Sequence, residues 1–122
     1  MLQENFFTIK YIHQDENAVK ASLGLNAGHK IFDGHFPQTP VVPGVCMMQM
    51  AKEVLEDAIG KGTRVVAASH MKFLTVINPV ETKTVQLDLK FFPRENKEIE
   101  IVASLFNEGV IYFKFKGLLK IL

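Results

Sequence analysis

One stretch of the chain limits what it can fold into more than any other: GVCMMQMAKEVLEDAI, residues 44–59. Val45, Met48, Ala51, Val54, Leu55, Ala58 and Ile59 recur there at spacings of three and four, the pattern of a helix with one buried side. Glycines in GKG, residues 60–62, end it. Nearly everything else reads as strand. NFFTIKYIH (5–13) is aromatic and β-branched, and AVKASLGLNA (18–27) alternates up to Gly28. RVVAASHMKFLTVI (64–77), TVQLDLKFF (84–92), IEIVASLF (99–106) and VIYFKFKGLLKIL (110–122) follow, separated by the turn segments NPVET, PRENKE and NEG. A lone early helix among strands can bury its apolar side only if a strongly bent antiparallel sheet wraps it. The expectation is an α+β fold, one long central helix inside a bent antiparallel sheet of about six strands, with residues 1–122 as a single domain.

Composition narrows the function classes. At 48% hydrophobic and 22% charged residues the chain is globular. A net charge of +1, with no run of Lys or Arg interleaved with aromatics, argues against a nucleic-acid partner. The single Cys46 precludes an internal disulfide and fits a reducing compartment. The start MLQENFFTIK lacks the basic and apolar blocks of a signal peptide, and no apolar run nears the roughly 20 residues that span a bilayer. A cytoplasmic location is expected.

Between the second strand and the helix runs the loop GHFPQTPVVPGV, whose prolines Pro37, Pro40 and Pro43 forbid a regular ladder. It resembles the signature loop of the bacterial 3-hydroxyacyl-acyl-carrier-protein dehydratases, the FabZ/FabA-like family of hotdog fold. That pattern is matched at Gly34, His35, Phe36, Pro37, Pro40, Pro43, Gly44 and Val45, eight positions in a stretch of twelve. MKFLTVINPVET resembles more weakly the family's strand and Pro-rich turn. The resemblance implies a homodimer or a trimer of dimers, and a substrate carried on the phosphopantetheine of acyl carrier protein, with no cofactor of the protein's own. It further implies that His35 is the catalytic histidine, that the N–H groups near Gly44 and Val45 polarise the thioester carbonyl, and that Pro43, Phe36 and Met48 line the acyl site.

The residue types suit such chemistry. Dehydration needs a base for the C2 proton, an acid for the departing C3 hydroxyl, and donors for the charge that gathers on the carbonyl oxygen. Histidine titrates near working pH, and a helix start offers unpaired N–H groups and a positive dipole end. The family's acid, a glutamate or aspartate four positions after the valine of Pro-Gly-Val, is here Gln49. Glu53 stands one turn later, where the family tends to show glutamine. An amide holds no transferable proton, yet it can hold a water or a hydroxyl. Three readings stand: Glu53 acts from one turn away, Gln49 positions a water and the enzyme is slow, or the site binds or hydrolyses acyl thioesters instead. An acyl thioesterase and a non-catalytic acyl-binding or scaffold protein are therefore the alternatives to a dehydratase.

Other polar residues have plainer readings. His13, His29 and His70 lack any such context and suit surface or strand positions; no pair has zinc-ligand spacing on a helix. Cys46 reads as a small buried hydrophobe, and Met47, Met48 and Met50 as core. Glu53, Glu56 and Asp57, with Lys52, read as a solvated helix face.

Overall fold

The computed structural model describes residues 2–32 and 40–122. Six strands, β1 (Phe7–Asp15), β2 (Ala18–Leu25), β3 (Thr63–Phe73), β4 (Thr84–Pro93), β5 (Glu98–Asn107) and β6 (Val110–Ile121), form one antiparallel sheet in the order β1-β2-β4-β5-β6-β3. Among the described residues the one α-helix is α1 (Gly44–Ile59), with a short 3₁₀ turn at Lys30–Phe32. This is the hotdog fold that the order of elements led us to expect.

Strand alternation explains which side faces α1. Val85, Leu87, Leu89 and Phe91 on β4, Ile99, Ile101, Ala103 and Leu105 on β5, and Phe113, Phe115 and Leu119 on β6 all point inward and are buried. They close over Met47, Met50, Ala51, Val54 and Leu55 of α1. Phe91, Phe113 and Phe115 are thus sheet packing, whereas Phe92 is 38% exposed.

The buried side of α1 is rotated from the one inferred from spacing. Val45 is 67% exposed, whereas Cys46 and Met47 are buried. A sheet that wraps the helix covers a wider arc than one stripe, and the apolar arc of this segment is broad enough to admit either placement. Gly60, in the left-handed region at φ 69°, closes α1, and its N–H donates to the Glu56 carbonyl.

β3 stops at Phe73, four residues before the end of the apolar run. The chain leaves β6 after Leu74, whose N–H bonds to the Tyr112 carbonyl, and the Ile77 carbonyl instead accepts from Val42 N–H at 2.9 Å. Asn78 then turns the chain, its Oδ1 accepting from Val80 N–H. Ile77 is fully buried, so its apolar character serves the segment before α1 rather than a longer strand.

The first residues are tied in as well. The Leu2 carbonyl accepts from the Asn5 and Phe6 N–H groups, and Asn26 donates through Nδ2 to the Asn5 carbonyl at 2.7 Å. Phe6 is buried against His29, edge to face at 5.4 Å, and against Phe32. His29 accepts the Ile31 N–H at Nδ1, a half-buried turn contact rather than the surface or strand position expected of it.

Candidate active site

α1 begins where the proline-spaced loop ends. Pro43 occupies the N-cap in extended conformation (φ −63°, ψ 146°) and has no side chain with which to cap the helix. Its carbonyl accepts from Cys46 and Met47 N–H at 3.0 and 3.2 Å. The first N–H groups of a helix have no intrahelical acceptor, and among the described residues nothing accepts from those of Gly44 and Val45. Among the described residues these two N–H groups at the positive end of α1 have no acceptor, and a helix end of this kind suits an oxygen ligand.

A ring guards this end. A Cβ built on Gly44 would stand 2.6 Å from Cε1 and 2.7 Å from Cζ of Phe73. Phe73 stacks on Phe113 at 5.1 Å between centroids, and Phe113 stacks on Phe115 at 6.2 Å. An aromatic row thus runs from the sheet to the helix start, and only glycine fits beneath its last member. Phe73, Leu74, Val76 and Val45 leave an exposed apolar patch around that start. Met48 is half-buried at the rim of the core.

One turn along α1 lies a compact polar network. Glu53, expected on a solvated face, is instead fully buried, and its carboxylate accepts three hydrogen bonds. Leu2 N–H donates to Oε2 at 2.8 Å, Gln3 N–H to Oε1 at 2.8 Å, and Gln49 Nε2 to Oε2 at 2.9 Å. Buried carboxylates persist where such donors exist, and two of the three come from residues about fifty positions away. A carboxylate only accepts, so the amide NH₂ of half-buried Gln49 is fixed toward Glu53. Its Oε1 is left as the acceptor that this turn offers.

Of the residues singled out from sequence, Pro43, Gly44, Val45, Met48, Gln49 and Glu53 share the first two and a half turns of α1. His35 and Phe36 lie outside the described residues. Glu56 matches the solvated-face reading only in its 2.9 Å pair with Lys52; it also accepts Thr63 N–H at 2.6 Å, locking the helix end to β3. Cys46 is buried, which raises its thiol pKa and makes it packing rather than a nucleophile. Sequence reasoning missed Phe73, whose signal was only an aromatic on a strand, and the Leu2–Gln3 clamp, which left no signal at all.

The family model described as ApeI-like, ApeI dehydratase, matches residues 11–110, which include the proline-spaced loop and all of α1. The chain belongs to the ApeI-like dehydratase family. A curated relative of this ApeI-like chain, the 3-hydroxyacyl-acyl-carrier-protein dehydratase FabZ of Ruminiclostridium cellulolyticum, is 31% identical over 58% of the chain. The chain spans about half of that relative, 55% of its length. The dehydratase heterocomplex ApeI:P from Xenorhabdus doucetiae superposes with a TM-score of 0.73 at 18% identity, covering 92% of this chain and 96% of that one. A thioesterase from Staphylococcus aureus gives 0.68 at 13% identity, over 97% and 95%. At these identities the two structures attest the hotdog fold alone. Among the described residues no helix is long and apolar enough to cross a membrane.

Proposed function

We propose that this protein removes water from a 3-hydroxyacyl thioester to give the trans-2-enoyl thioester. The acyl chain arrives on the phosphopantetheine of acyl carrier protein, in cytoplasmic fatty-acid or related acyl-chain synthesis, and the protein needs no cofactor of its own. The observation that carries this reading is the start of α1, where the Gly44 and Val45 N–H groups have no acceptor among the described residues. Membership in a dehydratase family and the FabZ relative support it.

In this mechanism the thioester carbonyl accepts from the Gly44 and Val45 amides, which lowers the energy of the enolate that forms when His35 takes the C2 proton. Oε1 of Gln49, whose Nε2 is held by Glu53, accepts from the C3 hydroxyl and aligns it. Gln49 has no proton to give, so the imidazolium of His35 returns its proton to the hydroxyl as the C3–O bond breaks and water leaves. Glu53, already accepting three hydrogen bonds, orients Gln49 and is not the acid. The working unit is a homodimer, alone or within a trimer of dimers. Two chains join along edge strand β3, and His35 of one chain and Gln49 of the other act on the same substrate.

A hydrolytic reading has one observation in its favour: the Gln49 amide, tied to Glu53 through Nε2, keeps an oxygen that can accept from water as readily as from a hydroxyl. One assay separates the readings. With 3-hydroxyacyl and saturated acyl thioesters, a dehydratase forms enoyl product, a thioesterase releases thiol, and a scaffold does neither. Enoyl formation that His35→Ala abolishes is expected. Thiol release without enoyl product overturns the proposal.

A further inference from the structure

The sheet face turned away from α1 carries a feature that the dehydration chemistry does not use. Facing residues across the strands run Lys20–Asp88–Ser104–Lys114–Lys72 in one row and Lys90–Val102–Lys116–His70 in the next. Directly paired residues share a face, so five lysines gather around one aspartate in a chain whose net charge is only +1. They line a hollow of about 500 Å³.

The arrangement works against the fold. Lys72 stands directly opposite Lys114, and like charges so placed destabilise a sheet. Among the described residues Lys20, Lys72, Lys90 and Lys114 make no ion pair, while Lys116 reaches only Glu100, at 3.8 Å. Sequences keep local conflicts of this kind where a function requires them.

We propose that this hollow docks an acidic, convex protein surface, such as a helix bearing carboxylates; under the function proposed above, on which this identification rests, the occupant is the carrier that brings the acyl chain. Width and shape choose among anions. Five strands spaced about 4.8 Å apart spread the lysines over roughly 19 Å, more than one phosphate or diphosphate engages. A hollow fits a convex partner, whereas a bilayer presents a plane. The hollow also neighbours the site: Lys72 points outward, and the next residue, Phe73, lies over Gly44 on the inner side. It stays open when β3 pairs with a second copy, because it occupies a face rather than an edge.

Titration of the full chain with acyl carrier protein, read by NMR or calorimetry, tests this without requiring turnover. Lys90→Glu and Lys114→Glu should each weaken binding at least tenfold at low salt, and added salt should weaken wild-type binding too. Lys72→Glu should weaken binding yet raise the melting temperature, because it converts a repulsive cross-strand pair into an attractive one; a merely structural lysine would not show both. Turnover of a carrier-free thioester should be unchanged in all three variants. Wild-type affinity in the variants overturns the proposal. So does binding of pyrophosphate or of phosphatidylglycerol vesicles without binding of carrier. Absence of turnover on any thioester would refute the dehydratase reading while leaving the docking result legible.

Discussion

Replacing Gln49 by glutamate puts the two ideas about this site, missing acid and oriented amide, into direct conflict. The amide nitrogen at 49 lies 2.9 Å from Oε2 of fully buried Glu53. An isosteric carboxyl there would face a carboxylate at hydrogen-bond distance, and two such groups cannot both ionise. Repulsion between unit charges about 4 Å apart at an effective dielectric near 20 is about 4 kcal/mol, equivalent to about 3 pKa units. The proton settles on the introduced carboxyl, because the Glu53 oxygens already serve Leu2 and Gln3. Its pKa therefore rises from about 4.3 toward 7, and at neutral pH it holds the transferable proton that glutamine lacks.

Two measurements follow. Dehydration by Gln49→Glu should exceed wild type near pH 6, by at most about 10²- to 10⁴-fold since His35 already returns a proton there, and decline as the new acid ionises. Stability should move with it. Where the folded state binds the extra proton and the unfolded state does not, stability falls as pH rises, by about 1.4 kcal/mol per unit between pH 4.3 and the raised pKa. From pH 5 to 8 the variant should thus lose about 3 kcal/mol relative to wild type, a drop of roughly 10 °C in melting temperature. Parallel melting curves for variant and wild type across that range would refute the reasoning, since the introduced carboxyl would then not lie beside Glu53.

Three further outcomes are expected. Glu53→Leu should leave the half-buried Leu2 and Gln3 N–H groups without their acceptor, costing at most about 1–3 kcal/mol for each, and should speed exchange of those two amides as read by hydrogen–deuterium exchange. Gly44→Ala should displace the Phe73 ring, weakening acyl-thioester turnover by at least tenfold while the far-ultraviolet circular dichroism spectrum stays that of wild type. Light scattering should give a homodimer or a larger even assembly at micromolar concentration, because β3 otherwise leaves an unpaired edge; a stable monomer near 13.8 kDa would rule out a shared site.

The elements were legible wherever local chemistry decided them. Residues 44–59 read as the helix because both their spacing and the glycines after it agree, and β4 to β6 were visible because alternation and turn residues coincide. Partners distant in sequence decided the rest. Nothing local says that Ile77 pairs with Val42 rather than continuing β3, and the TVI run after Phe73 is as β-prone as what precedes it. Glu53 looked like one charge among several on a polar stripe; the donors that bury it lie at the other end of a 50-residue span. Gln49 was recognised through the proline-spaced motif, but which way its amide points depends on Glu53. The lysines of FKFK alternate with buried phenylalanines in plain view, yet only strand order shows that they meet Lys20 and Lys72.

The clamp between Leu2 and Glu53 also sets a clock on synthesis. The two ends of that hydrogen bond are 51 residues apart, so at about 5–20 residues per second the ribosome makes Leu2 roughly 3–10 seconds before its acceptor. From the completion of β2 at Leu25 until Glu53 is made, β1 and β2 can pair only as an isolated hairpin, which is marginal in water, and their neighbour β4 arrives later still. The nascent chain therefore holds Phe6 and Phe7 without a core to enter until α1 has emerged. A translational pause before α1 would prolong that exposure, and a pause after it would let the clamp close first.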